Sequence, residues 1–325
     1  MMANIHRGFR LHIELGRRAG WHAEFPDRAM TESDTDLSGF RAEIDLIDDQ
    51  IHDLLMRRTA LAGKVGNAKQ GTSSVAYRPA REAAILRRLA DRHKGALPKT
   101  VLTRIWREIM TAMLRLQGPF TVAVYAPDGA GPYRDLARDH FGGAVPSTLH
   151  QSTRSVVNSV TESNTTVGVL PLPIDDDADP WWPALTEYAG DGPWIVARLP
   201  IARLVEGPDA LVIGPMVHEA TASDRSYLMI RASVDVSRAS LGGSLTRLGM
   251  KPVYMTIRPD QESADLNRFL FEVEGHVAID DPRLAKMLEA DDAPAQTVDV
   301  LGGYATPFSN SELGSKISGA PAARR

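Results

Sequence analysis

The sequence predicts a multidomain chain: an all-α domain of three helices that dimerises, then an α/β domain, then a βαββαβ domain. Three observations predict it. Phe40, Ile44, Ile47, Ile51, Leu54, Leu61, Val65 and Ala68 follow alternating spacings of four and three, the seam of a helix packed on other helices. After Pro119 short apolar runs alternate with helical ones, the texture of an α/β domain. From Tyr227 the runs read β, α, β, β, α, β. The expected boundaries are 1–35 for a flexible extension, 36–118, 119–222 and 223–308 for the three domains, and 309–325 for a disordered tail.

In the all-α part, Asp36 or Ser38 can cap a first helix that runs to about Gln70, where "GTSS" breaks it. Pro79, at a first-turn position, opens a second helix through "AREAAILRRLADRHK" that Gly95 ends. Pro98 opens a third, "KTVLTRIWREIMTAMLRLQ", stopped by Gly118-Pro119. A first helix of ~33 residues is about 50 Å long. Two short helices cannot cover such a rod, so its apolar stripe calls for a second copy of the chain. In the α/β part "FTVAVYAP", "TTVGVLPL" and "DALVIGP" read as strands and "PYRDLARDHFG" as a helix. In the last part "YLMIRAS", "KPVYMTIRP", "RFLFEVEGHV" and "QTVDVLGGY" read as strands, with "SRASLGGSLTRLG" and "DPRLAKMLEA" as helices. That order is ferredoxin-like.

Composition narrows the function. With 325 residues, 43% hydrophobic and 24% charged, the chain has the make-up of a globular protein with a sizeable core. A net charge of −4 gives no reason to expect nucleic acid or an anionic membrane as partner. No cysteine is present, which removes disulfide and thiolate chemistry and fits a reducing, cytoplasmic setting. No apolar run approaches the ~20 residues that span a bilayer. Residues 1–29 are Arg-rich without the apolar core of a signal peptide, and Met30 offers a second start. No cofactor or metal is expected: His140, His218 and His276 have no close set of acidic or imidazole ligands in the sequence, and "IDDDAD" (174–179) lacks the glycine and terminal glutamate of a calcium loop.

One position breaks the first helix's seam. After Leu54 the next seam residue is Arg58. Lys69 lies eleven residues on, within about 20° of the same face and ~16 Å along the axis. Arg41 lies about 100° round the helix, placed to serve a pocket of a partner copy rather than the same one. Arg81 and Glu82 open the second helix and Gln117 closes the third. Singly these have ordinary readings: a snorkelling arginine, a helix-end lysine, an exposed first-turn pair. Jointly they make a polar pocket among helices, rich in Arg and Lys and suited to a dicarboxylate.

The stretch "FRAEIDLIDDQIHDLLMRRTALAGKVGNAK…RPAREAAILRRL" resembles the all-α chorismate mutases, in particular the mutase domain fused to prephenate dehydratase. The likeness covers 37–118 and implies an intertwined homodimer of three-helix subunits with chorismate as substrate. By this resemblance Arg58 and Arg81 bind substrate carboxylate within one chain and Arg41 reaches in from the other. Lys69 holds a carboxylate and, with Gln117, the ether oxygen, and Glu82 accepts from the ring hydroxyl. Met113 stands where the family often has Ser, and Arg78 where some members have Asp.

Residues 121–305 resemble prephenate dehydratase followed by its ACT regulatory domain, carried by "VYAPDGAGPYRDLARDHFG", "SVVNSVTESNTTVGVLPLP", "FLFEVEGHVAIDDPRL" and "VDVLGGY". The residues that carry dehydration are absent. Pro208, Asp209 and Ala210 stand for Thr-Arg-Phe, Pro171-Leu172-Pro173-Ile174 for Pro-Ile-Glu-Asn, and Ala130-Gly131-Pro132 for Thr-Phe-Ser. The ACT motifs Pro-Gly-Ala-Leu and Glu-Ser-Arg-Pro fall on "SRASL" and on Thr256-Ile257-Arg258-Pro259. The expected function is therefore a chorismate mutase whose C-terminal half has lost its dehydratase site. That half would hold the dimer, bind a pathway enzyme or sense a regulatory ligand. The alternatives are a bifunctional mutase–dehydratase with a rebuilt second site, and a non-catalytic ligand sensor or scaffold.

Overall fold

The computed structural model describes residues 32–68, 76–129, 131–163, 165–175, 177–188, 192–203, 206–289 and 294–314, with side chains from 36. Two compact units meet at Arg57/Arg58. The first helix, α1 (Glu32–Ala68), has 37 residues. It starts before Asp36 and Ser38, so both expected caps lie inside it. Its apolar residues are exposed in the single chain, Phe40 by 59%, Ile51 by 50% and Leu54 by 63%. Gln70 and "GTSS" lie outside the described residues.

Helices α2 (Pro79–Arg92) and α3 (Lys99–Gln117) begin where Pro79 and Pro98 place them. Leu86, Ala90 and Met110 form a small core with Phe308 and Leu313. The C-terminal expectation is corrected here. Residues 309–314 are ordered as a one-turn helix, α8 (Asn310–Leu313), with a capping box in which Ser309 Oγ accepts from Glu312 N and Glu312 returns to Ser309 N. Arg87 reaches the Thr306 hydroxyl at 3.0 Å, and Lys99 Nζ donates to the Glu312 carbonyl at 2.8 Å.

The rest is one nine-stranded sheet. Strands β1 (Thr121–Tyr125), β2 (Ser147–His150), β3 (Thr166–Pro171), β4 (Trp194–Leu199), β5 (Ala210–Gly214), β6 (Asp224–Ser233), β7 (Pro252–Pro259), β8 (Leu266–Glu274) and β9 (Thr297–Ala305) take the order β2-β1-β3-β5-β4-β9-β6-β8-β7. The α/β part adds α4 (Pro132–Phe141), α5 (Thr153–Thr161) and a 3₁₀ turn (Trp182–Tyr188). The final part adds α6 (Arg238–Arg247) and α7 (Pro282–Glu289). Its strands run β9-β6-β8-β7, antiparallel throughout, which is the ferredoxin-like order the sequence predicts. All six of its expected elements are present. Leu228, Ile230, Phe269 and Phe271 face Leu241, Leu245 and Leu284 of the two helices, the alternation that one buried sheet face requires.

The two parts join where β4 meets β9 in parallel, Ile195 opposite Gly302. Gly302 has φ +108°, and a Cβ there would stand 2.2 Å from the Ile195 carbonyl oxygen, so only glycine fits.

Candidate functional site

The candidate residues within the described part sit on three helices: Arg41 and Arg58 on α1, Arg81 and Glu82 on α2, Gln117 on α3. Arg58 is half-buried on α1, and burial pulls its guanidinium pKa below the ordinary value. About two turns further on, Gly66 meets Gln117 at the end of α3: a Cβ at Gly66 would lie 3.3 Å from Gln117 Cα and Cγ. The absence of a side chain at 66 thus brings the end of α1 onto the residue expected to donate to the ether oxygen. Gln117 is partly buried and donates its amide to the Met113 carbonyl at 3.2 Å, a long contact within its own helix. Lys69 lies outside the described residues. Arg41, in the unit that ends at Arg57, is exposed.

Arg81 and Glu82 are not the exposed pair that first-turn residues usually make. Arg81 is exposed, but Glu82 is turned inward. Its Oε2 accepts from Arg107 Nη1 at 2.5 Å, with the two side chains 13% and 6% exposed. Arg107 also donates through Nε (2.9 Å) and Nη2 (2.7 Å) to the His140 carbonyl. The guanidinium is thereby satisfied on both edges. His140 is buried and its imidazole is held well below its ordinary pKa, first by burial and then by the Arg107 charge, so it is neutral. Tyr77 lies against it, Oη 3.5 Å from His140 Nε2. Sequence reasoning missed Arg107 because its partners are remote: Glu82 is 25 residues away and His140 is 33. Arg78, where some mutases carry Asp, forks onto Glu219 at 2.8 and 2.9 Å.

In the α/β part, the positions the resemblance assigns to Thr-Arg-Phe have other tasks. Asp209 accepts from Arg198 and Arg203, and Ala210 is fully buried at the start of β5. His218 is buried against Asp224 (3.1 Å), and His276 Nε2 donates to the His218 carbonyl at 3.1 Å. These are packing histidines, and no group of three metal-ligating side chains occurs among the described residues. No helix among them is long and apolar enough to cross a membrane.

Residues 40–118 match the family model of chorismate mutase type II. The matched segment contains all six candidate positions. The chain is also similar to bifunctional chorismate mutase/prephenate dehydratases. It is 33% identical over 141 residues to that of Pseudomonas aeruginosa, covering 42% of this chain and 38% of the relative. It is 42% identical over 105 residues to that of Neisseria gonorrhoeae, covering 32% and 28%. The chain thus spans well under half the length of the curated relatives it matches. Among solved structures it is similar to the prephenate dehydratase of Streptococcus mutans, at 16% identity and a TM-score of 0.42 over 58% of this chain and 98% of that one.

Proposed function

We propose that the chain is a chorismate mutase acting as a homodimer, and that its C-terminal half does not dehydrate prephenate. The observation that carries this is the match of residues 40–118 to the chorismate mutase type II family, a stretch that contains Arg41, Arg58, Lys69, Arg81, Glu82 and Gln117 and in which α1 meets the end of α3 at Gly66 and Gln117.

The reaction is a unimolecular Claisen rearrangement, in which one C–O bond breaks as one C–C bond forms. It needs no nucleophile and no metal. The site must hold the chair in which the enolpyruvyl arm lies over the ring, and that orientation is the task of Arg58 and Arg81 with Arg41 from the partner. It must also stabilise the negative charge that grows on the ether oxygen, the task of Lys69 and Gln117 as fixed donors. Glu82 retains acceptor capacity for the ring hydroxyl while Arg107 holds the carboxylate in place, since an ionised carboxylate has about four lone-pair sites. Arg58 is then a charge on a helix seam whose counterion is the substrate. The exposed apolar stripe of α1 is what a second copy would cover.

For the C-terminal half, Pro208 offers no hydroxyl and Asp209 is held by two arginines, so neither supports loss of water and carbon dioxide from prephenate. The test is purified protein with chorismate at neutral pH, following chorismate loss and phenylpyruvate formation. Chorismate loss with prephenate accumulating supports the reading. Phenylpyruvate formation would make the enzyme bifunctional, and no chorismate loss would leave a sensor or scaffold.

A further inference from the structure

Arg78 is a departure from the mutase pattern that the proposed site leaves unused. It stands directly before Pro79, which drives its backbone out of the helical region (φ −133°, ψ 80°), and its side chain makes no cap on α2. Its carbonyl does, accepting from Glu82 N at 3.0 Å in the bond that opens the helix. The guanidinium turns the other way. Its Nη2 lies 2.8 and 2.9 Å from the two carboxylate oxygens of Glu219, 141 residues along the chain.

Glu219 belongs to the segment 215–223 that joins β5 to β6, and that segment is closed by the Asp224 carboxylate. Asp224 Oδ2 accepts from Thr221 N at 2.7 Å, and Oδ1 accepts from Thr221 Oγ1 at 2.7 Å and lies 3.1 Å from His218 Nε2. Burial by itself raises the Asp224 pKa, but the hydrogen bonds from His218 and Thr221 outweigh it and hold the group below its ordinary value. The carboxylate is therefore ionised at neutral pH. On the other side His276 Nε2 donates to the His218 carbonyl. Glu219 thus follows a buried histidine in a loop pinned at both ends.

The tie matters for Arg81. That residue is exposed and in no ion pair among the described residues, so its guanidinium takes its place from the main chain of the first turn. Glu82, the next residue, has a brace of its own in Arg107. A turn braced at Glu82 alone can pivot about that side chain; held at Arg78 as well, it cannot. We propose that Glu219 is a positioning residue for the mutase site: by holding Arg78 it fixes the first turn of α2, and through that turn the guanidinium of Arg81. The role at the site rests on the mutase reading; the tie to the turn does not. The pair is half exposed, 50% at Arg78 and 53% at Glu219, so it adds little to global stability and its effect falls on local geometry.

The test is a double-mutant cycle on the full-length chain with Glu219→Gln, Arg78→Gln and both together. Each is read by chorismate kinetics, melting temperature and hydrogen exchange at the Glu82 amide. Glu219→Gln should raise the KM for chorismate about fivefold and speed that exchange by a similar factor, with kcat and melting temperature held. The double variant should be no worse than either single one, because the two side chains act as a unit. A KM unchanged in Glu219→Gln overturns the proposal, as do losses that add in the double variant. A fall in kcat and melting temperature together would make the pair a structural tie only, which also overturns it. Absence of chorismate turnover in the wild type removes the mutase reading and the role at its site, while exchange at Glu82 still decides whether Glu219 holds the turn.

Discussion

Arg107 on α3 and Glu82 on α2 form a buried ion pair at 2.5 Å, and the same guanidinium grips the His140 carbonyl at the end of α4. The carboxylate proposed to meet the substrate's ring hydroxyl is therefore positioned by a side chain that is itself anchored on the α/β part. Removing one partner of a buried pair leaves the other charge uncompensated, at a cost of about 3–5 kcal/mol. Arg107→Met should lower stability by an amount of that order in urea unfolding. It should also reduce kcat/KM for chorismate by misplacing Glu82. Arg107→Lys, which keeps the charge but loses the fork, should recover part of the stability and less of the activity. Full activity in Arg107→Met would mean that Glu82 needs no such anchor.

Gln117 donates through an amide, which does not titrate. The wild-type rate should therefore show no steep decline above neutral pH. Gln117→Glu should convert the same site into one that works only while the carboxyl is protonated, so its activity should fall as pH rises through that group's pKa. Gln117→Ala should lose roughly 10²- to 10³-fold in kcat, the usual cost of removing one donor to a developing oxyanion. A pH–rate profile of the three proteins decides it.

Ile51 and Leu54 are 50% and 63% exposed on the 37-residue α1. If the proposed dimer forms through this stripe, Leu54→Asp should give a monomer in light scattering and, by removing Arg41 from a partner's pocket, raise the KM for chorismate. A wild-type monomer would remove the shared-site role given to Arg41.

Phe308, 8% exposed, packs with Leu313 on Leu86, Ala90 and Met110. Phe308→Ala should cost about 3–5 kcal/mol, the usual range for a buried aromatic, and a fragment of residues 30–120 should melt well below the full chain because it exposes that surface. Equal melting temperatures would show that α2 and α3 do not depend on the C-terminal segment.

Asp260 is buried beside Arg268 (2.7 Å) and Arg231 (2.8 Å). Burial by itself raises its pKa, but the hydrogen bond from Arg268, the Glu262 amide and the two guanidinium charges outweigh that and hold it at about 2. A carboxyl depressed in the folded state stabilises above its unfolded pKa of ~3.9 and loses that contribution as pH falls through the folded value. Asp260→Asn should thus be less stable than wild type at pH 7, and the difference should shrink as pH falls from about 4 toward 2. A gap that persists at pH 2 would show that charge is not what Asp260 contributes.

Periodicity and punctuation made most of this fold legible. Pro79 and Pro98 set two helix starts, and the βαββαβ order follows from alternation and turns. What stayed hidden depended on contacts distant in sequence. Glu82 looks like an exposed first-turn acid until Arg107 reaches it. Strand β2 is four residues of mostly exposed side chains, too short and too polar to announce itself. The terminal turn α8 did carry a signal, Ser309 three residues before Glu312 with Leu313 following, but small polar neighbours obscured it.

The bond between β4 and β9 has a wider consequence. At Ile195 and Gly302 the α/β part and the βαββαβ part pair within one sheet. A hinge at that seam would break main-chain hydrogen bonds and pull Gly302 from a contact no other residue can make. Relative movement of the two parts is thus opposed at the middle of the sheet, where the nine strands run without a break from β2 to β7.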